Sequence, residues 1–181
     1  MKKYIRYSIF KTKWGYFGLT AIENGLLRTH LPLSNRHSLE QNLLKCYPEA
    51  KFDKNLFRDL QNQIIAYFEG SYVDFDKDID IQLDGFSDFS KKVLGVCRNI
   101  RFGQTVSYGQ LAKKAGSPAA ARAVGGIMAK NQTPLIIPCH RVIRSDSQLG
   151  GFSATGGTTM KGKMLQLESP GTSLFSKDFM V

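Results

Sequence analysis

No run of apolar residues in this chain approaches the roughly 20 that cross a bilayer, and the stretch Met1 to Trp14 interleaves Lys and Arg with a short apolar segment instead of building a secretory core. No membrane association and a cytoplasmic address are expected. Cysteine is scarce: Cys46, Cys97 and Cys139 are an odd number at long spacings. That argues against a disulfide framework and a close-spaced zinc cluster, so all three read as thiols and no metal is expected. Acidic residues are scarce in one half only. Residues 1–84 carry 12 Lys+Arg against 11 Asp+Glu, whereas residues 85–181 carry 13 against 4, so nearly all of the formal +10 belongs to the second half. A nucleic acid is the partner such a surface attracts, since each neutralised phosphate releases counterions; a generally basic protein is the other reading. With 42% apolar and 22% charged residues over 181 positions, the chain can bury a core as one domain or two small ones.

The first segment reads as strands Tyr4–Phe10, Tyr16–Ala21 and Leu26–His30, with Asn24-Gly25 offering the positive-φ pair of a tight hairpin. Leu56, Leu60, Ile64 and Phe68 recur at helical spacing and the run ends at Gly70, which predicts an amphipathic helix over 55–69 covering a sheet face. From Val73 to Leu83 the pattern alternates, with Asp74, Asp76, Asp78 and Asp80 on one side. A calcium loop is ruled out by Ile79 and Gly85 at its turning and closing positions, leaving a solvated strand. A second unit begins near Phe86: Phe89, Val93, Val96, Cys97 and Ile100 share a helical face capped by Ser87 or Asp88, and Cys97 reads as core. The expected divisions are 1–85, 86–169 and a tail, 170–181.

Ser107 can cap a helix from Tyr108 to about Ala115, Gly116-Ser117-Pro118 makes a sharp turn, and Ala119 to about Met128 forms a second helix. The pair is a helix-turn-helix. Ala119, Ala120, Ala121, Ala123, Gly125 and Gly126 leave Arg122 as the one long polar side chain before Met128. So smooth a helix suits either a narrow DNA groove or a close contact with another helix. Beyond it, Leu135-Ile136-Ile137 between Pro134 and Pro138 leads into Cys139-His140-Arg141, implying a buried strand or rigid connector with a thiol at its exit. His140 and Arg141 are candidates to favour the thiolate. In an extended chain, however, adjacent side chains point to opposite sides, so Cys139 and His140 would need a water or a bent backbone between them.

Phe102-Gly103-Gln104-Thr105-Val106-Ser107-Tyr108-Gly109-Gln110-Leu111-Ala112, then Ala120-Ala121-Arg122-Ala123-Val124-Gly125-Gly126, Asn131, and Ile137-Pro138-Cys139-His140-Arg141-Val142-Ile143 closely resemble the O6-alkylguanine-DNA alkyltransferase family. The resemblance is ordered and spans about 65 residues. It implies an α/β (α+β) fold: a small N-terminal sheet-and-helix domain of ribonuclease H-like kind, then a mainly helical, winged-helix-like domain carrying the helix-turn-helix. It implies direct-reversal DNA repair, with the alkyl group moved irreversibly from O6 of a flipped-out guanine in the minor groove of double-stranded DNA, without sequence preference, to Cys139. The protein would act as a monomer, and no cofactor would be required because the protein is itself the acceptor.

By the same resemblance His140 is a base acting through water, polarised by Glu168, and Asn131 links the recognition helix to the acceptor strand. Tyr108 would crowd the target phosphate and meet the base. Pro134 would wall the pocket, the Val142 carbonyl would accept from the guanine amine, and the Ser153 backbone would reach O6. Arg122 would fill the gap in the duplex on a helix whose Ala120, Ala121 and Gly125 allow close approach. Phe152, Gln132 and the Ala154-Thr155 extension depart from the family pattern and put the range of alkyl groups in question. A non-catalytic sensor of alkylated bases lacks such a cysteine; a transcription regulator leaves the Pro-Cys-His-Arg run unexplained; a cysteine hydrolase needs a base placed differently.

Overall fold

The computed structural model describes residues 4–23 and 25–170. They form a mixed α/β chain in two compact units, Met1–Leu83 and Asp84–Val181. Asn24 of the expected hairpin and nearly all of the expected tail lie outside the described residues.

In the first unit, β1 (Arg6–Thr12), β2 (Gly15–Ile22) and β3 (Gly25–Leu33) make an antiparallel meander, and β4 (Lys51–Phe52) joins β1 in parallel, giving the order β3-β2-β1-β4. The alternation of β1 assigns its faces. Tyr7 and Ile9 pack with Leu39 and Leu43 of α1 (Arg36–Cys46), while Ser8, on the opposite face, accepts a hydrogen bond from Gln61 of α2 (Arg58–Phe68). The second face is further filled by Phe17, whose ring packs at a tilt against that of Phe68.

Two expectations for this unit need correction. The helix over 55–69 begins three residues late, because Asp53 Oδ1 accepts from Asn55 N and Phe57 takes a left-handed φ of 51°, a turn that precedes the helix. The alternating segment 73–83 is not a strand: its one ladder contact is the bridge Leu26↔Ile81, with Leu26 N donating to Asp80 O and Gln82 N donating to Leu26 O. Four aspartates in seven residues repel one another along an extended edge, and no partner strand repays that repulsion.

The second unit is mainly helical, as the sequence implied. It runs α3 (Asp88–Arg98), β5 (Val106–Ser107), α4 (Tyr108–Lys114), α5 (Ala121–Ala129), β6 (Val142–Ile143) and α6 (Gly157–Glu168), with β5 and β6 paired in parallel. Ser87 Oγ accepts from Ser90 N to start α3. A reciprocal capping box starts α4: Ser107 Oγ accepts from Gln110 N, and Gln110 Oε1 accepts from Ser107 N. Gly116, at φ 83°, ends α4 and turns the chain toward α5. Val124, Ile127 and Met128 bury the inner side of α5, and Arg122, Ala123 and Gly126 are exposed on its outer side.

Candidate active site

The connector after α5 is neither strand nor straight. Pro134 and Ile137 bridge across a tight turn in which Leu135 takes φ 79°, and Cys139–Arg141 form one turn of 3-10 helix. This changes the geometry expected at the thiol. Successive side chains in a 3-10 turn are about 120° apart rather than opposed, so Cys139 and His140 can serve adjoining spaces without an extended backbone between them.

Asn131, just past the end of α5, ties this turn in place. Its side-chain amide donates to Ile137 O at 2.9 Å and to Cys139 Sγ at 3.1 Å, while its Oδ1 accepts from Thr133 N at 3.0 Å. Burial pushes the Cys139 thiol above its ordinary value; the Asn131 amide, the charge of Lys161 and local backbone N–H groups pull it back. The side chain is therefore a thiol at neutral pH, with donors already arranged around the anion it can become.

Behind Cys139, His140 is wholly buried and its Nε2 donates to Glu168 Oε1 at 2.7 Å. Burial lowers the imidazole below its usual 6.5 in spite of that carboxylate, so the ring is neutral. With the proton on Nε2, Nδ1 is a lone pair, buried and with no hydrogen-bond partner among the described residues. Arg141 turns away from the thiol. Its Nε and Nη2 donate to the two oxygens of Glu168 at 2.9 and 3.0 Å, and its Nη1 donates to Ile100 O at 2.6 Å. Of the two residues considered for favouring the thiolate, Arg141 is committed to Glu168. Burial alone would raise the Glu168 carboxyl, but His140 and Arg141 together outweigh it and hold the group at about 2.

A cavity of about 620 Å³ opens in front of Cys139. Tyr108 of α4 and Ala121, Arg122 and Gly125 of α5 line one side; Arg144, Gly150, Phe152 and Ser153 line the other. Ser153 Oγ donates to Ala129 O at 2.6 Å, fastening the 150–153 loop to the end of α5. A Cβ on Gly150, whose φ is 69°, would stand 2.9 Å from the Tyr108 hydroxyl, so the ring and the loop are held close by the absence of a side chain there. Of the residues expected at the site, Tyr108, Ala121, Arg122, Gly125, Cys139, Phe152 and Ser153 border the cavity, and Asn131, His140 and Glu168 support Cys139 from behind. Ala120, Pro134 and Val142 are not among its lining residues.

The Val142 carbonyl is instead engaged by a residue that sequence reasoning missed: Lys161 Nζ donates to it at 2.6 Å. Lys161 is fully buried. The available signal was spacing, since Lys161, Met164, Leu165 and Glu168 share one helical face, and all four are buried. Among the described residues, no group of three or more His, Cys, Asp or Glu is placed to hold a metal ion, and no helix is long and apolar enough to cross a membrane.

A helix-turn-helix whose second helix borders a cavity ending at a buried thiol, with a His–Glu pair behind it, defines a class: mixed α/β proteins that place a cysteine at the end of a cavity on a helix-turn-helix scaffold. Residues 88–170 match the family described as 6-O-methylguanine DNA methyltransferase, DNA binding domain. A methylated-DNA--protein-cysteine methyltransferase of Mycobacterium tuberculosis is 36% identical over 136 residues, covering 75% of this chain and 79% of that protein. One from Methanosarcina acetivorans is 32% identical over 163 residues, covering 90% and 97%. Among solved structures, the Mycobacterium tuberculosis OGT in complex with DNA superposes with a TM-score of 0.73 at 30% identity, over 90% of this chain and 92% of that one. The chain belongs to the methylated-DNA--protein-cysteine methyltransferase family.

Proposed function

We propose that the chain repairs DNA by taking the alkyl group from O6 of a guanine onto Sγ of its own Cys139, once and irreversibly. The observation that supports this most strongly is the conjunction at one sulfur: Cys139 ends a cavity bordered by α4 and α5 and receives the Asn131 amide at 3.1 Å. The kinship with an OGT solved with DNA supports DNA as the partner.

The thiol proton passes through a water to Nδ1 of His140, whose Nε2–H stays on Glu168. The thiolate attacks the alkyl carbon in line; the S–C bond forms as the C–O6 bond breaks, and the electron pair remains with the guanine. The guanine takes up one proton at N1, so thiol plus O6-alkylguanine gives thioether plus guanine. Because the alkyl carbon of a stacked base is out of reach, the nucleotide must rotate out of the duplex, at a cost of a few kcal/mol. Tyr108 crowds the target phosphate and meets the extruded base, and Arg122 enters the minor groove and fills the gap. The Ser153 backbone reaches O6. The Val142 carbonyl keeps a second lone pair for the guanine amine beside the Lys161 bond, and Pro134 stiffens the connector behind it.

Intact mass spectrometry after mixing with an O6-methylguanine duplex tests the proposal. One added methyl per chain, located on Cys139, is expected, with none on Cys139→Ser and DNA binding largely retained by that variant. An unmodified chain, or repeated turnover of the duplex, overturns it.

A further inference from the structure

Two arginines, Arg122 and Arg144, and no aspartate or glutamate stand among the described residues that line the cavity in front of Cys139. Arg122, on α5, has the gap in the duplex as its proposed partner, whereas the transfer of a neutral methyl group gives Arg144 nothing to bind. The turn that carries Arg144 is well defined. Arg144 N donates to Gln148 O at 2.9 Å and Ser147 N donates to Arg144 O at 3.1 Å, and Ile143 and Leu149, on either side of this turn, pack with Leu165 of α6. A Cβ added to Gly150 would stand 3.4 Å from Cγ of Arg144 and 2.9 Å from the Tyr108 hydroxyl, which sets the arginine stem beside that phenol along the cavity wall. The head of the side chain is already on a carboxylate. Its Nε and Nη2 donate to the two oxygens of Asp146 at 3.1 and 2.8 Å, the paired geometry in which a guanidinium fork takes a carboxyl group. The arginine of this pair is 60% exposed. An ion pair so open to water contributes little, so the fork can exchange Asp146 for another carboxylate at small cost.

We propose that Arg144 is a specificity-determining residue that fits the cavity to adducts ending in a carboxylate, an O6-carboxymethyl group being the smallest, which it takes in the fork now occupied by Asp146. This rests on the proposed role of Cys139 as acceptor. Such an adduct reacts as the methyl does: the S–C bond forms at the methylene carbon as the C–O6 bond breaks, the electron pair stays with the guanine, which takes up a proton at N1, and the acceptor becomes S-carboxymethylcysteine. The electrostatics differ. The attacking thiolate meets a second negative charge on the group bonded to the reacting carbon, and a cation on that group offsets the repulsion, the more so where the extruded base shuts out water. A backbone phosphate is the other oxyanion an exposed arginine could take. Asp146, half exposed on the same turn, disfavours a phosphate arriving from solvent, whereas an adduct reaches the guanidinium from within the cavity that Arg144 lines.

Two measurements on the full chain test this. In the first, the parent, Arg144→Gln and Arg144→Lys are mixed with duplexes that differ only in carrying O6-methylguanine or O6-carboxymethylguanine, and the rate of Cys139 modification is followed by intact mass spectrometry. The ratio of the carboxymethyl rate to the methyl rate should fall about tenfold or more in Arg144→Gln, with Arg144→Lys, which keeps the charge and loses the fork, between the two. Equal slowing on both duplexes overturns the proposal and makes Arg144 a phosphate contact; rates untouched on both overturn it and leave the ion pair to the turn alone. A parent that takes the methyl group and leaves the carboxymethyl group on the DNA overturns it as well. The second measurement needs no transfer. In a Cys139→Ser background, fluorescence anisotropy compares the two duplexes, and Arg144→Gln should lose several-fold more affinity for the carboxymethyl duplex than for the methyl one; equal losses overturn the proposal. If neither adduct reaches Cys139 in the parent, the acceptor role fails, and the binding comparison still decides the role of Arg144.

Discussion

In a space closed to water, Glu168 takes hydrogen bonds from His140 Nε2, from Nε and Nη2 of Arg141, and from Gly103 N. Removing one partner of such a pair leaves a buried charge uncompensated. Glu168→Ala should therefore lower stability by about 3–5 kcal/mol in urea unfolding, well beyond the cost of its lost packing; a loss below 1 kcal/mol would contradict this. The same cluster sets the acid side of the stability curve. Glu168, held at about 2 against an ordinary 4.5, contributes stability that is complete above 4.5 and lost as pH falls toward 2. Depressed below 6.5, His140 makes the unfolded chain take up a proton first as pH drops past that value. The midpoint of thermal unfolding should consequently decline from about pH 6.5 downward, and Glu168→Gln should flatten the part of the decline below 4.5. Cys139 and His140 were legible because they stand side by side in one motif, and Glu168 entered only through the family resemblance, carried across the Ala154-Thr155 extension. Lys161 was not, since a lysine on a helix reads as solvated until the packing around it is known, and neither was the diversion of Arg141 to Glu168, which joins positions 27 residues apart.

Helix α5 shows what local pattern can and cannot specify. Its small residues, its start after the Gly116 turn and the Ser107 cap of α4 were all visible in the sequence, because caps and turns act over three or four residues. By contrast α1 escaped notice: it buries only Leu39 and Leu43, so its apolar stripe is too thin to stand out from a polar segment. Of the two readings of the thiol segment, the strand failed for a related reason, since an apolar run between two prolines cannot distinguish a strand from a turn that brings Pro134 back to Ile137. The outer side of α5 offers a test that separates stability from binding. A Cβ on Gly126 meets nothing within 4 Å. Gly126→Ala should stabilise the helix by about 0.5–1 kcal/mol, and Gly126→Leu should weaken duplex binding several-fold in fluorescence anisotropy while the chain stays folded. Undiminished affinity in Gly126→Leu would take this face of α5 off the DNA. Arg122→Ala should slow alkyl transfer from duplex more than from single strands, because only a duplex leaves a gap to fill; equal slowing would remove that role.

Across the whole molecule the charge imbalance is unevenly exposed. In the second unit, Arg141 and Lys161 are buried with Glu168, whereas Lys91, Lys92, Lys113, Lys114, Arg122, Lys130 and Arg144 are all exposed. The first unit carries nearly equal numbers of both signs. If phosphate contacts supply the affinity, log K for a duplex should fall linearly with log salt, by about 0.9 for every phosphate neutralised. Arg122 on α5 lines the cavity together with Arg144, and Lys130 stands just past the end of α5, so Lys130→Gln and Arg122→Gln should each reduce that slope by about one unit. Lys51→Gln, on β4 of the first unit, should leave it unchanged. A common response to all three would mean that net charge alone draws the DNA. A slope indifferent to salt would place the binding energy in apolar contacts, such as those a small-residue helix makes with a groove, and these exposed cations would then serve solubility rather than recognition.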